Sequence, residues 1–230
     1  MVKSLSCRMK CRILTFEEIY ELSRQLANKV KDSNYLPTTI VALARGGWVP
    51  ARLLCDFMGI TDLISLKVEH WLETGRTKDE ATVRYPLNTE LKGKRLLIVD
   101  DVADTGKSLI AATDYLSRLK ADSMKTATMQ YFPSSKFTPD FYTDEVREWT
   151  WFIYPWNWVE DTSTLIIRLM ETDKRKTWSS PKLNDELKNL FEIEWSQTML
   201  QHILQTMVER NQVEDTEEGF KIKDSRVVRL

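Results

Sequence analysis

The chain has 230 residues, with 33 Lys or Arg against 34 Asp or Glu and a formal charge of −1. No global basic field therefore argues for nucleic acid or an anionic membrane as partner. Hydrophobic residues make up 42% and charged residues 29%, the balance of a chain with one sizeable core and a small appendage. No run of 18 apolar residues exists, and the opening MVKSLSCRMKCRIL lacks a signal-peptide core. Cys7, Cys11 and Cys55, with His70 and His202, form neither a disulfide framework nor a zinc site. A reduced, cytoplasmic protein is the expectation.

Thr15-Phe16-Glu17-Glu18 is a capping box, and Ile19, Leu22, Leu26 and Val30 follow at helical spacing. Residues 15–31 are thus predicted as an amphipathic helix. Pro37 ends it. A β-branched strand is expected over Thr39–Leu43, a turn at Arg45-Gly46-Gly47, and a helix over Pro50–Met58 closed by Gly59. Leu63–Val68 is a further strand. From Trp71 to Leu91 the chain is polar and aperiodic, which predicts a long loop of the kind that closes over sites.

Residues 95–109, RLLIVDDVADTGKSL, carry the densest chemistry. The apolar run Leu96–Val99 predicts a strand covered on both faces. It ends in Asp100 and Asp101, and Asp104 precedes Thr105-Gly106-Lys107-Ser108 at the start of a predicted helix over 107–119. A helix start is an anion site, because its amides point outward and its dipole end is positive. Acids beside such a cradle serve a second ligand group, a metal ion or sugar hydroxyls. A P-loop needs a glycine five positions before Gly106; Asp101 stands there. Beyond it, Lys125–Tyr131 is predicted as a strand, followed by a loop through Pro133 and Pro139 and an aromatic strand over Trp149–Tyr154. Two helices are expected within 183–210, and a strand or hairpin over Phe220–Leu230. Alternating strands and helices predict an α/β core with a mostly parallel sheet, whose ligands gather at the strands' carboxyl ends. There the Arg45 loop, the Asp100 loop and the Trp151 region are expected to converge.

The 95–109 stretch resembles the PRPP-binding signature of type I phosphoribosyltransferases, and residues 14–160 resemble the purine members of that family. ALARGGWVPARLL (42–54) is similar to the family's pyrophosphate loop, and WTWFIYPWNW (149–158) to the strand and turn that hold the base. The resemblance implies a central, mostly parallel sheet flanked by helices, with a small hood. It implies a phosphoribosyltransferase domain over 1–180 with a flexible loop at about 71–86. Residues 181–230 form a helical C-terminal extension. Its elements are also those of a winged-helix remnant, but seven Lys or Arg stand there against ten Asp or Glu. A dimer contact or a hood over the base site is the preferred reading.

By the same resemblance, Asp100 and Asp101 hold the ribose hydroxyls and, through the diol, Mg²⁺. Asp104 exchanges a proton with the base. Ala103, Asp104, Thr105, Gly106, Lys107 and Ser108 bind the 5′-phosphate. Ala44, Arg45, Gly46 and Gly47, with a cis Ala44–Arg45 peptide, meet the pyrophosphate. Trp151 stacks on the base, and Phe152 offers it a backbone carbonyl. Phe132 stands where 6-oxopurine enzymes carry a lysine toward O6, so adenine is the expected base. The alternative is hypoxanthine, guanine or xanthine, with Lys136 or Gln130 replacing that lysine. Asn157 replaces a carboxylate that relatives often place near a metal. The implied partners are PRPP, a purine, pyrophosphate, the nucleoside monophosphate and a second copy or more of the chain, with no nucleic acid and no membrane. A PRPP-sensing, nucleic-acid-binding regulator on the same fold is the rival of another class, and a TGKS phosphotransferase the remaining one.

Overall fold

The structure is a computed structural model that describes residues 8–70, 81–174 and 176–223. In chain order it contains β1 (Cys11–Ile13), α1 (Phe16–Asp32), β2 (Thr39–Ala44), α2 (Trp48–Met58), β3 (Leu63–His70), β4 (Ala81–Val83), β5 (Arg95–Ala103), α3 (Lys107–Ser117), β6 (Ser123–Tyr131), β7 (Phe141–Glu145), β8 (Trp151–Ile153), α4 (Trp158–Glu171), α5 (Ser180–Phe191), α6 (Gln197–Glu209), β9 (Val213–Thr216) and β10 (Gly219–Ile222). These elements form two compact units, residues 16–149 and residues 1–15 with 150–230. Of the expected loop at 71–86, residues 71–80 lie outside the described residues, and β4 begins at Ala81.

The unit of residues 16–149 is built on a six-stranded sheet in the order β4-β3-β2-β5-β6-β7. All pairings are parallel except β3–β4. β5 is a continuous apolar run because its alternate side chains enter two cores. Leu97 and Val99 pack with Leu26, Ala27 and Val30 of α1 and with Ala51 and Leu54 of α2. Leu96 and Ile98 pack on the opposite face with Leu109, Ala112 and Leu116 of α3. Each of these β5 side chains is fully buried, so truncating Leu96, Leu97 or Ile98 to Ala costs about 2–5 kcal/mol. Gly59 ends α2 at φ 68°, where a residue with a β-carbon is strained. β7 is an addition to the predicted elements, since a loop is expected there.

The second unit pairs β1 with β8 in a short parallel ladder and places α4, α5 and α6 around one core. β9 and β10 form a hairpin, and Trp178 bridges Phe220 in antiparallel fashion. The aromatic strand is therefore shorter than the predicted 149–154 and stands outside the six-stranded sheet. The hairpin lies at Val213–Ile222, ahead of the predicted 220–230, of which 224–230 fall outside the described residues. α4 is absent from the sequence-based expectation. Cys11 and Cys55 are buried free thiols. Burial first, then the charge of Asp161, pushes the Cys11 thiol up to about 12, as expected of a thiol packed among apolar neighbours.

Candidate active site

β5 delivers its acids at the carboxyl edge of the sheet. The Asp101 N–H donates to Asp100 Oδ1 at 3.0 Å, and the Val102 N–H donates to Asp101 Oδ1 at 2.8 Å. Burial, and then the neighbouring charge of Asp101, raises the Asp100 carboxyl well above the usual carboxylate range. The chain then turns through Asp104, Thr105 and Gly106, whose φ of 76° is a left-handed value. Gly106 is the N-cap of α3 and brings no side-chain cap, so the first-turn amides receive no oxygen from that position. The Thr105 hydroxyl accepts from the Lys107 N–H at 3.5 Å, and the Ile110 N–H donates to Gly106 O at 3.0 Å to open the helix.

β2 ends one strand away. The Ala44–Arg45 peptide is cis, as the resemblance implies. The Gly47 N–H donates to Leu43 O at 2.8 Å and the Trp48 N–H to Arg45 O at 3.3 Å, turning the chain directly into α2. Both glycines are required by close approach. A β-carbon on Gly46 would collide with the Asp101 carboxyl group, lying 2.6 Å from its Oδ1. One on Gly47 would lie 2.8 Å from Leu43 O and strike Val99 O. The Arg45 loop and the acid pair of β5 thus share one packed surface. A polar turn into a helix start, an arginine and two carboxylates at a single sheet edge suit a ligand bearing anionic groups and hydroxyls.

Phe132 follows β6, and its N–H donates to Ala103 O at 3.1 Å. The side chain is only 4% exposed. Beyond it, the turn at 133–137 folds back over the signature loop. The Lys136 N–H donates to Thr105 O at 3.2 Å. A β-carbon on Gly106 would come within 2.6 Å of both Ser135 Oγ and Phe137 Cβ. Sequence reasoning weighed Lys136 only as a stand-in for the missing base lysine. Its backbone tie to the phosphate loop had no signal in the chain.

Trp151 and Phe152 belong to the other unit, on β8. Trp151 donates its N–H to Lys10 O at 2.9 Å and leaves its side chain 42% exposed. Phe152 is half-buried, with its ring 6.4 Å from that of Tyr154. Tyr154 stacks on Trp156 at 4.9 Å, and Trp158 donates Nε1–H to Leu14 O at 3.0 Å. These last aromatic residues hold the unit together.

Comparison with known proteins bears on the same residues. The family model for the phosphoribosyl transferase domain matches residues 12–161. The xanthine-guanine phosphoribosyltransferase of Gluconobacter oxydans is 29% identical over 154 residues, 67% of this chain and 86% of that protein. The enzyme of the same name from Cereibacter sphaeroides is 31% identical over 151 residues, 63% of this chain and 85% of that protein. The crystal structure of a purine phosphoribosyltransferase from Pyrococcus horikoshii superposes with a TM-score of 0.57 at 31% identity, covering 64% of this chain and 94% of that one. With the acid pair, the Arg45 loop and the start of α3 on one sheet edge, the chain belongs to the phosphoribosyl transferase domain family, and its likeness runs to purine-directed members.

Proposed function

We propose that the protein is a purine phosphoribosyltransferase that transfers the phosphoribosyl group of PRPP to a 6-oxopurine. Its products are the nucleoside 5′-monophosphate and pyrophosphate. The observation that carries the reading is the contact of Gly46 with the Asp101 carboxyl group, because it joins the loop for a leaving pyrophosphate to the acids for a ribose diol. Adenine was the expected base because Phe132 offers no donor to O6. The relatives named xanthine-guanine phosphoribosyltransferases instead support the 6-oxopurine alternative.

In this reading the anomeric carbon passes through a cation-like transition state, so placement of charge is the main lever. Asp100 and Asp101 grip the ribose hydroxyls. Asp104, three residues beyond Asp101, exchanges a proton with the purine ring nitrogen as it bonds to carbon. Residues 103–108 hold the 5′-phosphate by backbone amides and hydroxyls. Ala44–Gly47 receive the pyrophosphate, with Arg45 facing its growing charge. The family resemblance gives the ring of Trp151 and the carbonyl of Phe152 to the base.

Among the described residues no three His, Cys, Asp or Glu converge as a metal cage. Carboxylate oxygens beside a diol nonetheless fit a hard cation carried in with the substrate. Mg²⁺ bound in that way, against Asp100 and Asp101, would neutralise pyrophosphate charge.

The test is a side-by-side assay of adenine, hypoxanthine, guanine, xanthine and uracil with PRPP and magnesium. At least one 6-oxopurine is expected to be converted faster than adenine. Preferential turnover of adenine would overturn the base assignment, and no turnover of any base would overturn the reaction.

A further inference from the structure

The turn after β6 is fastened to the signature loop at both its ends. The Phe132 N–H reaches Ala103 O and the Lys136 N–H reaches Thr105 O, at 3.1 and 3.2 Å. Within the turn, the Ser135 N–H donates to Phe132 O at 2.9 Å, and Ser135 Oγ donates to Phe137 O at 3.0 Å. Ser135 and Phe137 sit so close to Gly106 that the loop has no room for a side chain there. Lys136, between them, is exposed. Among the described residues no carboxylate pairs with its ammonium. From bond lengths, its Cα lies within about 5 Å of the Thr105 carbonyl oxygen.

We infer that Lys136 binds the 5′-phosphate of the substrate, so that the phosphate subsite is built from two chain segments and not from the signature loop alone. This rests on reading the loop at Thr105–Ser108 as the phosphate cradle. A phosphate monoester near neutral pH carries close to two charges, whereas a helix start supplies only about half a unit of positive charge. Amides and hydroxyls orient the group without neutralising it. The lysine stem is flexible and four carbons long, and here its root is pinned beside the cradle. With the main chain already fixed beside the cradle, only the stem's rotamers remain to be ordered when the ammonium meets the phosphate.

The experiment is equilibrium titration of wild type and Lys136→Ala with GMP, guanosine and AMP, together with the KM for PRPP. In the variant, GMP affinity is expected to fall on the order of tenfold or more, with guanosine affinity and kcat little changed and the KM for PRPP raised. Lys136→Arg should restore most of the GMP affinity. Equal loss for GMP and guanosine, or no loss for either, overturns the inference. A change in the preference for GMP over AMP with the GMP-to-guanosine ratio intact places Lys136 at the base and also overturns it. Wild-type protein that binds neither nucleotide overturns the proposed function together with this inference. Wild-type protein that binds GMP no better than the alanine variant overturns this inference only.

Discussion

Asp104 is where chemistry and packing separate most cleanly. It is half-buried in the turn between β5 and α3, outside the strand ladder, so nothing in the sheet depends on its charge. Asp104→Asn keeps shape and hydrogen-bonding capacity while removing the exchangeable proton. Its kcat should fall by about two to four orders of magnitude, the usual share of a general acid or base, with thermal stability unchanged. Steady-state turnover with the preferred base, beside a melting curve, checks both halves; turnover equal to wild type would remove the role. At this scale the site was legible where residue type and spacing are themselves the chemistry. Asp100, Asp101, Thr105, Gly106 and the Arg45-Gly46-Gly47 run could be named from the chain. Phe132 could be named from the chain, but its surroundings are set by the loop that follows β6. The same loop hid Lys136, whose backbone partner lies 31 positions earlier at Thr105.

Elements follow the same logic. β5 was legible because a double-sided core demands an unbroken apolar run, and α2 because Gly59 ends it at positive φ. β7 escaped notice because FYTDE is a polar, half-buried edge strand whose reason to exist is pairing with β6. α4 was masked because its first turn lies within an aromatic cluster read for its base contacts, although Leu165, Ile166, Leu169 and Met170 mark its buried face. One connection invites a pH test. Asp62, leading into β3, accepts from Thr39 Oγ1 at 2.7 Å and from Lys94 Nζ at 2.9 Å. It thereby ties β3 to the start of β2 and the approach to β5. The Thr39 hydrogen bond, then the one from Lys94, holds its carboxyl below the ordinary value of 3.8. A lowered folded-state pKa stabilises the fold above the unfolded value, and the benefit fades as pH falls through the folded one. Asp62→Ala should therefore lose stability at pH 7, and the gap to wild type should narrow below the unfolded value of 3.8. The pair is substantially solvent-exposed, so the loss at pH 7 should be only about 1 kcal/mol. Urea midpoints at the two pH values measure it, and a gap that does not narrow would discount the carboxylate.

For the whole molecule, the open question is what residues 150–223 add to a catalytic fold. Their order is α4, the Trp178 bridge, α5, α6 and the β9–β10 hairpin closing on Trp178, so the two helices and the strand pair on which the winged-helix rival rests are both present. A fold does not carry its function with it, and the surface decides. The exposed face of α6 presents Thr198, Gln201, His202 and Gln205, side chains able to meet base edges. Affinity for DNA, however, comes first from cations on phosphates. The hairpin tip instead carries Asp215, Glu217 and Glu218, all exposed, where a DNA-binding wing needs Lys or Arg. Of the cations nearby, Lys188 is already held by Glu194 at 2.7 Å. Repulsion at the wing therefore outweighs readout by the helix. Fluorescence anisotropy of labelled duplex DNA should show no titration with the 230-residue protein even at low ionic strength, where electrostatic binding is strongest. A signal that rises at low salt and falls steeply as salt is added would reverse this ordering and restore the regulator reading. No signal, with base turnover intact, leaves the unit an architectural part of an enzyme.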